Sequence, residues 1–201
     1  MKLTVFQLGV LSANCYIVAD EEAKLCAVVD PGGEGKELAQ WLDSQGLTPQ
    51  CVFLTHYHFD HVDGAEDLAS CYPGLPVYLH PGDADLPIRP GGKPTYWNKE
   101  YREGDTITVG SLSFRVFNTP GHTPGSVCLQ VEDILITGDT LFLGSCGRTD
   151  FPGGSWDSMM TSLKRLAQMP GNPAVLPGHG GSSTLDGERA RNAYMKEALA
   201  Q

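Results

Sequence analysis

Residues 55–64 read Thr-His-Tyr-His-Phe-Asp-His-Val-Asp-Gly and place His56, His58, Asp60 and His61 within six positions. Imidazole nitrogen and carboxylate oxygen are donors that zinc, iron and manganese accept, and ligands this close in sequence need only one loop to hold them. A solvated or structural role suits one such histidine; three of the chain's six in one decapeptide call for another explanation. Two more follow Pro-Gly pairs: His122 in Thr-Pro-Gly-His-Thr-Pro-Gly (119–125) and His179 in Leu-Pro-Gly-His-Gly-Gly (176–181). Between them Ile-Thr-Gly-Asp-Thr (136–140) ends an apolar run in Asp139. One design thus recurs, a hydrophobic strand that ends in a glycine-assisted turn carrying one ligand-type residue.

The positioning elements follow from the pattern around these residues. The run 51–55 is short, apolar and β-prone, a buried strand delivering the histidine loop, and 64–72 has helical spacing with Asp63 placed as its N-cap. Upstream, 3–8, 14–19 and 25–30 are strand candidates, and the last ends in Asp30-Pro-Gly-Gly, which must turn sharply. Residues 34–45 form a helix with Leu38, Ala39, Trp41 and Leu42 on its apolar side and Gly46 as its stop. Strands are expected at 76–79, 106–109, 112–118, 126–131, 134–137 and 174–176, with hairpin-length links at 110–111 and 132–133. Helices are expected at 155–169, starting near Ser155 or Asp157, and at 186–199. Two strand-rich halves with flanking helices suit an α/β (α+β) sandwich of two sheets covered on both outer faces.

Composition narrows the function. At 201 residues the length fits one well-buried domain, 1–201. A formal charge of −10, with only 14 scattered Lys and Arg, argues against a nucleic-acid surface. No run approaches the ~18 apolar residues of a membrane span, and the N-terminus opens directly into a strand pattern without a signal peptide, so a cytoplasmic protein is expected. The six cysteines form no Cys-x-x-Cys pair and mostly lie in apolar strands, as reduced core thiols do.

The ordered series His56-x-His58-x-Asp60-His61, then His122, Asp139 and His179, resembles the metallo-β-lactamase superfamily, and within it the glyoxalase II-like (hydroxyacylglutathione hydrolase-like) thioesterases. The resemblance covers most of the chain. It implies a four-layer αββα sandwich of two mixed sheets flanked by helices, with a dinuclear centre at one edge. His56, His58 and His122 would bind the first metal, Asp60, His61 and His179 the second, and Asp139 would bridge, making Asp60 and Asp139 the catalytic carboxylates. The metals would be two divalent ions, zinc first, with iron and manganese compatible with the same donors. Five neutral imidazoles and two carboxylates carry a formal −2, which two such ions and a hydroxide bring to about +1, so the site would attract an anionic small molecule such as an acyl-thiol. Water on such ions has a pKa near about 7, giving hydroxide for attack on a thioester carbonyl without a serine or cysteine nucleophile.

Two features qualify the match. Glyoxalase II enzymes carry an additional C-terminal helical domain that holds glutathione, whereas only about twenty residues follow His179. The stretch 144–151, Gly-Ser-Cys-Gly-Arg-Thr-Asp-Phe, also resembles persulfide dioxygenases, which would use one iron on His56, His122 and Asp139. A non-catalytic metal-binding module is the third reading; seven donors exceed the four that a structural zinc site uses.

Arg148, Cys146 and Tyr57 are candidate substrate contacts, with an ion pair to Asp150 as the structural alternative for Arg148 and simple packing for Cys146. Asp30 has two readings, orienting a ligating histidine or capping the helix that follows. His80 reads as a turn residue. The Pro/Gly-rich stretch 87–94, within 86–101, together with Tyr96, Trp97 and Tyr101, reads either as a substrate-side flap or as a loop anchored to the core.

Overall fold

The computed structural model describes residues 1–86 and 94–201. Fourteen strands and six helices are assigned there. The first half holds β1 (Lys2–Leu8), β2 (Ala13–Asp20), β3 (Leu25–Val29), α1 (Gly35–Ser44), β4 (Thr48–Phe53), α2 (Phe59–Val62), α3 (Ala65–Cys71), β5 (Val77–Leu79), a 3-10 turn (Pro81–Asp83) and β6 (Lys99–Glu100). The second holds β7 (Thr106–Val109), β8 (Leu112–Asn118), β9 (Val127–Val131), β10 (Ile134–Gly138), β11 (Leu141–Phe142), β12 (Ser145–Cys146), α4 (Trp156–Ala167), β13 (Ala174–Pro177), β14 (Ser183–Thr184), α5 (Leu185–Arg191) and α6 (Ala193–Ala200).

Two six-stranded mixed sheets form, ordered β1-β2-β3-β4-β5-β6 and β14-β13-β10-β9-β8-β7. Side chains alternate across each strand, so a strand between two layers must be apolar on both faces. β2 shows this: Cys15, Ile17 and Ala19 pack toward Leu38 and Leu42 of α1 and Leu68 of α3, while Tyr16 and Val18 face Phe114 and Val116 of β8. Phe117, Cys128, Leu135 and Val175 turn the far side of the second sheet toward Met159, Leu163 and Leu166 of α4 and Met195 of α6. Three apolar cores separate four layers, the expected αββα sandwich.

Topology gathers the ligand-type residues. β8 and β10 each pair antiparallel with β9, and β10 pairs parallel with β13, so β8, β10 and β13 run the same way and end at one edge. His122 follows β8, Asp139 follows β10 and His179 follows β13. β4 brings the histidine loop from the other sheet, and the amide of Val127 bonds to the Thr55 carbonyl at 3.0 Å to join the two edges.

Most expected elements are present, including both two-residue hairpin links and Ser155 as the N-cap of α4, accepting from the Ser158 amide. Two details differ. Asp63 is not an N-cap: it closes the single helical turn α2 in αR geometry, and Gly64 precedes α3 without a side-chain cap. The expected helix 186–199 is two helices, because Asn192 takes an extended conformation and caps α6 through the amides of Tyr194 and Met195. Of the stretch 86–101, read either as a flap or as a loop anchored to the core, residues 87–93 lie outside the described residues. Tyr96 and Trp97 pack on the first core, and the buried Tyr101 hydroxyl donates to the Leu54 carbonyl at 2.5 Å, so these aromatics anchor the chain.

Candidate metal centre

All seven ligand-type residues converge. Donor atoms of His56, His58 and His122 lie within 4.8 Å of one another, as do those of Asp60, His61 and His179, and those of His56, His61 and Asp139. Asp139 stands between the two outer sets: Oδ2 is 3.5 Å from His122 Nε2 and 3.8 Å from His179 Nε2, and Oδ1 is 3.4 Å from His61 Nε2.

Hydrogen bonds outside the cluster fix which nitrogen of three of the rings faces in. His61 Nδ1 donates to Asp30 Oδ2 at 2.9 Å and His122 Nδ1 to the Arg148 carbonyl at 2.7 Å, leaving both Nε2 lone pairs toward the centre. Thr55 Oγ1 donates to Asp30 Oδ2 at 2.7 Å and so accepts from His56 Nδ1 at 3.1 Å. Among the described residues His56 Nε2 then has no hydrogen-bond partner although buried, and neither has Asp139 Oδ1. Orphaned buried polar atoms cost about 1–3 kcal/mol each. Two aimed into one cluster of lone pairs fit a cation, which would satisfy both.

The electrostatics agree. Burial and the neighbouring imidazoles hold His56 well below the usual histidine range and His58 down to about 3, so both are neutral donors. Burial also lowers His122, against the pull of Asp139. On the other side, burial opposes charge on His61, but Asp139, Asp30 and Asp60 outweigh it and push its pKa up to about 9. The hydrogen bond that His179 Nε2 donates to Asp60 Oδ2 at 3.1 Å raises His179; Asp60 itself is lowered, because His179 and His61 outweigh its burial. A proton does here what a divalent ion would do, offsetting two carboxylates at close range.

Asp30 therefore orients ligand-type histidines, and the helix-capping alternative drops out; α1 follows Glu34 without a side-chain cap. Glycine is required at position 178, where a Cβ would overlap Asp139 Oδ1 and stand 2.6 Å from His61 Cε1.

The profile of the metallo-beta-lactamase superfamily matches residues 8–179. The chain belongs to that superfamily. Members bind divalent metals through His/Asp sites of this kind. Similar proteins include the probable metallo-hydrolase YqgX of Bacillus subtilis, 34% identical over 97% of this chain and 98% of that protein. The hydroxyacylglutathione hydrolase GloC of Haemophilus influenzae is 29% identical over 97% and 98%. Among solved structures, the B3 metallo-beta-lactamase BLEG-1 superposes with TM-score 0.86 at 32% identity, covering 96% of this chain and 99% of that one. TTHA1623 in a di-iron-bound form gives 0.82 at 36%, covering 95% and 99%, and ETHE1 from Myxococcus xanthus 0.84 at 29%, covering 96% and 84%.

The cluster opens into a cavity of about 980 Å³, lined by His58, Asp60, His122, Asp139 and His179 among others. Leu11, Tyr57, Phe59, Phe142, Phe151 and Pro152 give it an apolar wall. All three candidate substrate contacts line it. Arg148, however, is engaged: Nε and Nη2 each donate to Asp150 at 2.6 Å, and the guanidinium lies 3.9 Å from the Phe151 ring centroid. Burial pushes the Cys146 thiol up to about 11, leaving it protonated at neutral pH. His80 does cap a turn, accepting from the Gly82 amide. Among the described residues no helix is long and apolar enough to cross a membrane.

Sequence reasoning missed Asn14, whose side chain donates to the carbonyls of Pro177 (3.0 Å) and Gly180 (2.9 Å) and holds the His179 turn. An amide inside an apolar strand was the available signal. It also missed Asp83, a carboxylate only 1% exposed.

Proposed function

We propose that the chain is a dinuclear metal-dependent hydrolase of small thioesters, with His56, His58 and His122 holding one ion, Asp60, His61 and His179 the other, and Asp139 between them. The observation that carries this is the seven-donor cluster in which Asp139 reaches both sets while His56 Nε2 and Asp139 Oδ1 have no hydrogen-bond partner among the described residues. A structural site closes with four ligands and gains nothing from seven. Zinc is the first candidate metal, with iron and manganese open to the same donors.

Divalent ions bound there would supply Lewis acidity and a hydroxide nucleophile at neutral pH. The protein's own groups do the rest. Asp30, Thr55 and the Arg148 carbonyl hold three imidazoles in the tautomer that presents Nε2, so nothing reorganises during turnover. The rings of Tyr57, Phe59, Phe142 and Phe151 exclude water and leave room for an organic group beside the donors. Water adds to the carbonyl, the carbon–sulfur bond breaks, and a carboxylic acid and a thiol leave. Thiolate is a good leaving group, so no dedicated acid is needed, consistent with a protonated Cys146 that takes no part.

The likeness to GloC supports an acylglutathione or related acyl-thiol, and that protein is matched over 98% of its length, so its name goes with a chain of this extent. The second reading, one iron on His56, His122 and Asp139 in a persulfide dioxygenase, is favoured by 144–151, whose Ser145, Cys146, Arg148 and Phe151 line the cavity. A panel of acyl-thiols, a β-lactam and an acyl-homoserine lactone, run beside an oxygen electrode with glutathione persulfide, separates the two. Thioester hydrolysis without oxygen uptake is expected; oxygen uptake with persulfide and no hydrolysis would replace the reading.

A further inference from the structure

Asp83 ends the 3-10 turn Pro81–Asp83 and is 1% exposed. Among the described residues its hydrogen-bond partners are all neutral donors: Oδ1 accepts the Gly125 amide at 2.6 Å, and Oδ2 accepts the Tyr57 amide at 3.0 Å and the Thr123 hydroxyl at 2.8 Å. Among the described residues the titratable groups whose charges couple to it are the Tyr57 and Tyr101 phenols. Tyr57 lies between His56 and His58; Thr123 and Gly125 follow His122. The two loops meet at their rings, His58 Nδ1 standing 2.8 Å from His122 Nε2. Close approach requires glycine: a Cβ on Gly125 would come 2.6 Å from Asp83 Cγ, and one on Gly82 3.0 Å from the Gly125 nitrogen.

We propose that Asp83 is a positioning residue for the His56–His58–His122 half of the centre, its carboxylate clamping the loop that carries His56 and His58 to the turn that follows His122. Burying a carboxylate without a cation is expensive. Only a carboxylate, however, accepts on both oxygens. An asparagine of the same shape accepts on one, so its amide nitrogen faces either the Tyr57 or the Gly125 N–H, donor against donor. Thr123 can adapt, since its hydroxyl also bonds to Ser126 Oγ at 2.8 Å, but the two backbone amides cannot. Asp83→Asn therefore holds one loop and releases the other.

The inference rests on the proposed ligand roles and is tested by metal binding rather than turnover. Co²⁺ is titrated into metal-free wild type, Asp83→Asn and Thr123→Ala, with chelator competition for affinities. Wild type should bind two ions; Asp83→Asn should weaken one step by roughly 10- to 100-fold, as loss of groups that orient ligands does, and leave the other within about threefold. Thr123→Ala, which keeps both amides bound to Asp83, should leave both steps within about threefold. Unchanged binding in Asp83→Asn, or equal weakening in Thr123→Ala, overturns the clamp. Wild type binding no ion would instead sink the ligand assignment itself. Should Asp83→Asn not fold, native-state hydrogen exchange on wild type decides: the Tyr57 and Gly125 amides should open together, with protection within about threefold, and a tenfold or greater difference overturns the proposal.

Discussion

Replacing Asp30 by asparagine tests whether the centre is set by tautomers. Asp30 has a left-handed φ of 52°, which asparagine tolerates, so the backbone need not change. In wild type Oδ1 accepts the Thr55 amide at 2.7 Å, and Oδ2 accepts both Thr55 Oγ1 at 2.7 Å and His61 Nδ1 at 2.9 Å. In Asp30→Asn the carbonyl oxygen keeps the Thr55 amide, and the NH₂ takes the place of Oδ2. It then faces His61 Nδ1, which must become an acceptor and move its proton to Nε2. It also donates to Thr55 Oγ1, whose own proton turns toward His56 Nδ1 and forces the same change there. Two of the nitrogens that should present lone pairs to an ion would carry hydrogens instead. The expected loss is at least roughly 10- to 100-fold in metal affinity, or about 1.4–2.8 kcal/mol. The lost charged acceptor costs about 1.5–3 kcal/mol of metal-free stability. Chelator competition reads the first and urea unfolding the second, while ¹⁵N shifts of the imidazoles report the tautomers directly. Metal affinity within about threefold of wild type, with His61 still protonated on Nδ1, would refute the reasoning.

Two further outcomes follow from the same geometry. Gly178→Ala should leave secondary structure intact yet lose metal, because the new methyl overlaps Asp139 Oδ1 and crowds His61 Cε1; metal content by elemental analysis equal to wild type would show that the turn relaxes freely. For Asp83, burial pushes the carboxyl up to about 6 from an ordinary 3.8, so the folded state holds its proton more tightly than the unfolded chain. Stability from this group is then present in full below about pH 4 and lost as pH rises through about 6, by about 3 kcal/mol. In urea unfolding of metal-free protein, the stability of Asp83→Asn relative to wild type should rise over that window, and a pH-independent difference would contradict the assigned burial cost.

The ligand-type residues were legible because each sits in a local signature, an apolar strand running into a glycine-rich turn, and such signatures survive without knowledge of the fold. Strands were legible for the same reason, since β2 to β4 and β8 to β10 lie between apolar layers and must be apolar themselves. What escaped notice depends on distant partners. Asp83 meets Tyr57 across 26 residues and Gly125 across 42, and nothing in His80-Pro-Gly-Asp83 shows that the carboxylate is buried. The two readings of Asp30 were equal in sequence because an aspartate before a glycine turn suits both; the position of Thr55 and His61 beside it decides. The helix break at Asn192 was hidden by periodicity continuing on both sides. Its side chain turns to cap α6 and to donate to the Ser145 carbonyl at 2.9 Å, a long-range bond that outweighs local helix preference.

Metal content tests the central claim most directly. Protein grown in defined medium and analysed for elements should carry close to two divalent ions per chain, and Asp139→Ala, which removes the carboxylate between the two sets, should carry fewer and hydrolyse no thioester. One equivalent of iron in the wild type, or full thioester turnover in Asp139→Ala, would contradict a dinuclear hydrolytic centre.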